Sequence, residues 1–172
     1  MVISISVTQG AVMGTASISG LLEEWRAAER RWEQQGSSEE VRLAAEAVVR
    51  AWVAYQDAAI PHDSGEFMLV ADDDQSYIAA TAGITKVLGY EPSDLIGLRV
   101  EDLAAPELRE TTPAQWAQFM ADGRQDGRFW IKAKDGRLVS LHYQARAHHP
   151  VPGFHMSRLW QDVDRSSDAA PI

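Results

Sequence analysis

Lys134-Asp135-Gly136-Arg137 constrains this chain more than any other four residues. It lies between two runs in which apolar and polar side chains alternate, residues 128–133 and 138–147. Alternation at period two marks a half-buried strand. Asp-Gly between two such runs predicts a tight hairpin with positive φ at both central residues. Along the second run Val139, Leu141, Tyr143 and Ala145 share one face, while Leu138, Ser140, His142, Gln144 and Arg146 share the other. A turn with two prolines, residues 148–153, leads to a further strand predicted over 154–163.

Upstream the pattern changes to short pieces. Residues 67–71 form an apolar run closed by Asp72, Asp73 and Asp74, which reads as a strand and a solvated turn, and residues 77–80 read as a second strand. Short helices are predicted over 81–88, stopped by Gly89; over 92–95, stopped at Gly97; and over 100–103. A fuller helix is predicted over 113–122, with Pro113 in its first turn and Gly123 past its end. Its inward side would carry Trp116, Phe119 and Met120.

Two amphipathic stretches come first. In residues 21–35, Leu21, Trp25, Ala28 and Trp32 make one helical stripe, which Gly36 ends. Ser37 and Glu40 then have capping-box spacing. Val41, Ala45, Val48, Trp52, Tyr55 and Ala59 follow at intervals of 4, 3, 4, 3 and 4. Such a seam fits a helix lying on its own domain or a coiled-coil helix joining two copies. The chain divides into an arm (1–20), a helical region (21–60), a linker at 61–65, a core module (66–163) and a polar tail (164–172).

Composition removes several function classes. Lys plus Arg number 16 against 25 Asp plus Glu, a net charge of −9, so a nucleic-acid backbone is repelled on average. No apolar run approaches the roughly 18 residues that span a bilayer. Residues 1–20 lack the Lys or Arg that opens a signal peptide, so the expected compartment is the cytoplasm. There are no cysteines, which excludes disulfides, thiolate catalysis and any Cys-linked cofactor.

Leu88-Gly89-Tyr90-Glu91-Pro92-Ser93-Asp94-Leu95-Ile96-Gly97, followed at fitting distance by Lys134-Asp135-Gly136-Arg137 and a last strand ending in Asp162-Val163-Asp164, resembles the PAS domain family over about residues 66–163. The resemblance implies an α+β fold: a five-stranded antiparallel sheet with short helices on one face, here with N-terminal amphipathic helices packing on the other. It implies a sensor of small molecules, light, oxygen or redox state, or a mediator of protein contacts. Such modules commonly regulate a kinase, cyclase or DNA-binding domain. No such output domain is visible in this sequence, so the expected partner is a separate kinase or transcriptional regulator. The flavin-cysteinyl photochemistry of the family is excluded for want of a cysteine, as is a Cys-linked coumaroyl chromophore. Haem is disfavoured, since no histidine lies on the helix over 112–123; no cofactor is assigned.

A small apolar ligand remains. Trp116, Phe119 and Met120 from the helix, Leu141 and Tyr143 from the strand and Ile84 from a short helix are the candidate ligand-binding residues, with Val139, Phe67, Leu69 and Ile78 closing the site and Tyr143 as polar handle. The same residues would equally fill a packed core. His142 and His155 could face each other across strands near His148-His149, but the spacing does not specify a metal site, and a polar loop explains it as well. Trp130, Leu138, His142, Met156 and Trp160 are predicted on the outer face, where two tryptophans call for a cover. Val48, Trp52 and Tyr55 of the second helix, with Trp130 and Trp160, are the candidate interface, within one chain or across a homodimer. The function expected is that of a non-catalytic sensory or interaction module. A small pocket enzyme, isomerase- or cyclase-like, would instead need an Asp–His or Tyr–Asp pair in the cavity; a purely structural dimerisation unit would have a filled one.

Overall fold

The computed structural model describes residues 38–61 and 63–161, with scattered positions between 20 and 34. The stripe Leu21, Trp25, Ala28, Trp32, the cap at Ser37, the strand end at Asp162 and the polar tail lie outside the described residues, as does nearly all of the arm.

Helix α1 (Ser38–Ala59) leads into strands β1 (Glu66–Asp72) and β2 (Tyr77–Ala80). Three short helices follow, α2 (Gly83–Leu88), α3 (Pro92–Leu95) and α4 (Val100–Leu103), then a 3₁₀ turn (Pro106–Leu108) and α5 (Thr112–Asp122). Strands β3 (Arg124–Lys132), β4 (Leu138–Arg146) and β5 (Phe154–Trp160) complete one antiparallel sheet of order β2-β1-β5-β4-β3. The last strand in sequence thus lies at the sheet's centre, beside the first.

Local chemistry sets these boundaries. Gly89 and Gly123 end α2 and α5 in the left-handed region, at φ 75° and 73°. The carboxylate of Asp94 accepts the Glu91 N–H at the start of α3 and also a bond from Lys134 Nζ at 2.6 Å, which ties the hairpin turn to the helical layer. The hairpin itself departs from the two-residue form expected. Lys132 pairs with Leu138, leaving five residues in the loop, and only Gly136 takes positive φ, at 90°. Asp135 Oδ1 accepts the Arg137 N–H, so its side chain closes the turn.

Two clusters of buried side chains lie on opposite faces of the sheet. Phe67, Leu69, Ile84, Leu88, Leu95, Leu103 and Leu141 belong to the one beneath the short helices. The other joins Ala45, Val48, Val49, Trp52 and Val53 of α1 to Met68, Val70, Ala79, Val151 and Phe154. The seam along α1 therefore packs on the chain's own sheet. Its placement differs from expectation in one respect: Trp130 and Trp160 are not part of this cluster and remain half-buried, Trp160 stacked on His142 at 5.7 Å. A helix about 10 Å wide spans only about two strands at roughly 4.8 Å spacing, so α1 cannot cover both halves of five strands.

Candidate ligand cavity

Strand register decides which side chains meet the helical layer. Ile131 opposes Val139, Phe129 opposes Leu141, Tyr143 opposes Leu159, and Ala145 opposes Ser157. All therefore share the inner face, together with Leu69, Ala71 and His155. Above this face α5 holds Trp116 and Phe119 one turn apart, their rings edge-to-face at 5.6 Å. Between the layers lies a cavity of about 100 Å³. Its floor is Leu69, Ala71, Phe129, Ile131, Ala145 and Leu159, its roof Val100, Trp116 and Phe119, and the polar residues around it are Tyr77, Thr112, Gln115, Gln125, Tyr143, His155 and Ser157. No Asp, Glu, Lys or Arg among the described residues lines it.

Of the six ligand-binding candidates, Trp116, Phe119 and Tyr143 line this cavity. Ile84 and Leu141 are fully buried in the cluster beside it and do not line it. Met120 is half-buried on α5 and does not line it either. Ile78, expected to close the site, packs instead with the outer cluster against α1, because a bulge between Val70 and Ala71 breaks the alternation on β2. Burial raises the Tyr143 phenol above its ordinary value.

Sequence reasoning missed His155. It is 3% exposed, lines the cavity and touches the rings of Trp116 and Phe119 at 5.2 and 6.0 Å. Nor does it face His142: His142 opposes Trp160 on the outer face, and His155 opposes Ala71 on the inner one. The backbone N–H of His148 donates to His155 Nδ1 at 3.2 Å. The neutral ring then carries its proton on Nε2, which donates to Asp73 Oδ1 at 2.9 Å. His148, at φ 52°, in turn accepts the Gly153 N–H on its own Nδ1 at 3.2 Å. Asp73, His148 and His155 bring ligand-type atoms within 4.8 Å of one another. A histidine binds metal through a bare nitrogen, and in both rings that nitrogen already holds a backbone N–H. The trio is a hydrogen-bonded clasp on the β4–β5 turn. For the same reason the Asp73–His155 pair is poorly placed for acid–base work on a cavity occupant, since its one basic nitrogen is held by His148. The next residue, His149, sets its ring edge-on to Trp52 of α1 at 5.2 Å, so the turn reaches from the cavity wall to the outer helix.

Residues 62–151 match the family model described as the PAS fold. The chain belongs to the PAS family. Solved PAS structures share its architecture. A PAS domain of a protein from Colwellia psychrerythraea is 18% identical, with 64% of this chain and 97% of that one covered and a TM-score of 0.53. A domain of a sensory box sensor histidine kinase/response regulator from Geobacter sulfurreducens is 14% identical, covering 63% and 91%, TM-score 0.51. The PAS domain of an HTR-like protein from Haloarcula marismortui is 17% identical, covering 62% and 88%, TM-score 0.52. At these identities the likeness is one of fold. No curated protein matches the chain.

The PAS cavity seen here does not fit a haem or a flavin. About 100 Å³ is well below the roughly 300 Å³ at which drug-sized ligand sites begin, and both nitrogens of His155, the one lining histidine among the described residues, are engaged. Among the cavity's polar side chains without a hydrogen bond, one is buried. Tyr77 is 7% exposed, and no group among the described residues hydrogen-bonds its hydroxyl. Burial, and secondarily the charge of Asp102, holds this phenol in its neutral form. A buried hydroxyl left unpaired costs about 1–3 kcal/mol.

Proposed function

We propose that this PAS domain is a cytoplasmic sensory or interaction module that reports occupancy of its cavity to a separate partner. The observation that carries the reading is the β4–β5 turn, fastened to cavity-lining His155 by His148 and to α1 through His149 and Trp52. An occupant that moves His155 shifts this turn, and the turn shifts the helix lying on the sheet, as a change between two packings. No residue performs chemistry. Likeness to a domain of a sensor histidine kinase/response regulator supports a kinase as partner class, a transcriptional regulator being the other. The half-buried Trp130 and Trp160, together with Leu43, 52% exposed on α1, support a homodimer. No helix among the described residues is long and apolar enough to cross a membrane, in keeping with this reading. Native mass spectrometry of freshly purified protein tests it: a dimer retaining a small organic molecule is expected. A spectrum of bare monomer overturns both the dimer and the occupied cavity.

A further inference from the structure

The cavity's dimensions and polar atoms restrict what enters it. At about 100 Å³ it is of the order of a buried apolar cavity of about 150 Å³ that accepts benzene. One six-membered ring is of that scale. No charged side chain among the described residues lines the walls, so an ionised ligand would lose its hydration without a counter-ion. The Asp102 carboxylate also acts on the Tyr77 phenol and opposes an anion further. Of the two other deeply buried polar side chains around the space, Thr112 Oγ1 donates to the Leu108 carbonyl and His155 is bound at both nitrogens, while Gln115, Gln125, Tyr143 and Ser157 are part-exposed. Tyr77 is different: it lines the cavity, is buried, and its hydroxyl has no partner among the described residues. A phenol is a strong donor, and the group that completes it is an acceptor oxygen.

Resting on the reading of this cavity as a ligand site, we infer that its occupant is a compact, uncharged, single-ring molecule whose acceptor oxygen takes the hydrogen bond of Tyr77. The ring lies against Trp116, Phe119 and Phe129, and the oxygen points inward.

The test uses the full chain and four probes followed by amide and methyl NMR titration: cyclohexanone, benzene, cyclohexanecarboxylate and 1-tetralone. Cyclohexanone is expected to bind and to shift resonances of the cavity wall. Tyr77→Phe, which keeps the ring and the fold, should weaken cyclohexanone about tenfold and leave benzene unchanged. Wild-type stability in Tyr77→Phe, checked by thermal melting, separates lost affinity from lost folding. If 1-tetralone or the carboxylate binds as tightly as cyclohexanone, or Tyr77→Phe leaves cyclohexanone affinity intact, the ligand class is wrong while the sensory reading stands. If none of the four binds, the ligand class is overturned, and the mass spectrum of the freshly purified protein decides whether the sensory reading falls with it.

Discussion

His155 joins three environments through one ring: the cavity aromatics, the Asp73 carboxylate and the backbone of the β4–β5 turn. Burial holds its pKa below the ordinary value of 6.5, outweighing the opposing pull of Asp73, and the same holds for His149, which is lowered by burial and by Arg146. Protonation of His155 would place a proton on Nδ1, where the His148 N–H already points. The unfolded chain therefore takes up protons near pH 6.5, while the folded chain does so only at lower pH. Between those limits the unfolded state binds more protons, so stability rises with pH and falls as the solution is acidified. We expect the melting temperature to be flat above about pH 7.5 and to decline as pH drops through about 6.5, before the carboxylates titrate. His155→Gln, which retains a donor for Asp73 but cannot titrate, should flatten part of that decline, leaving the share due to His149. An unchanged profile in the variant would show that Asp73 and the turn do not depend on the state of His155.

Among the elements, α1 depends most on a single side chain. Trp52 is 6% exposed, sits in the outer cluster with Val48, Val49 and Phe154, and meets the His149 ring edge-on. Truncating a buried tryptophan costs about 3–5 kcal/mol. Trp52→Ala should thus lower the unfolding free energy by roughly that much, read from urea denaturation, and Trp52→Asp should drive aggregation. A variant of wild-type stability would mean that α1 is not seated as described. The helices were legible from the chain because each carries its own stop signal, as Gly89 and Gly123 do, and because spacing at 3.6 residues survives any tertiary context. The strands were legible only where alternation is unbroken. β3 begins at Arg124, four residues before its apolar pattern becomes visible, because Gln125, Asp126 and Gly127 hide it. A Cβ at Gly127 would stand 3.5 Å from the Tyr143 ring, an ordinary contact, so the glycine hides the strand pattern without being required by space. The bulge that turns Ile78 away from the cavity carries no composition cue, and the His155–Asp73 bond joins residues 82 positions apart, beyond any local pattern.

At the scale of the molecule the sheet is a partition: the cavity layer lies on one side and α1 on the other. Each side supplies burial that the other cannot. Met68, Val70 and Ala79 face α1 from the same strands whose Leu69, Ala71 and Tyr77 face the cavity. β1 is buried along nearly its whole length, which leaves it no wet side. The domain beneath α1 is therefore incomplete by itself, although the family match begins only at residue 62. Removing residues 1–61 would bare Met68, Val70, Ile78, Phe154 and Met156 as one apolar patch, and patches of that kind are covered by association or by aggregation. We expect the truncated chain to bind a hydrophobic dye, to elute larger than its monomer mass and to melt at lower temperature than the full chain. The same dependence makes α1 suitable as an output, because a helix whose removal is costly and whose Trp52 meets His149 of the β4–β5 turn can be shifted by a change there. A truncated protein that stayed monomeric, bound no dye and melted with the full chain would show α1 to be an appendage, and the route from cavity to helix would lose its last step.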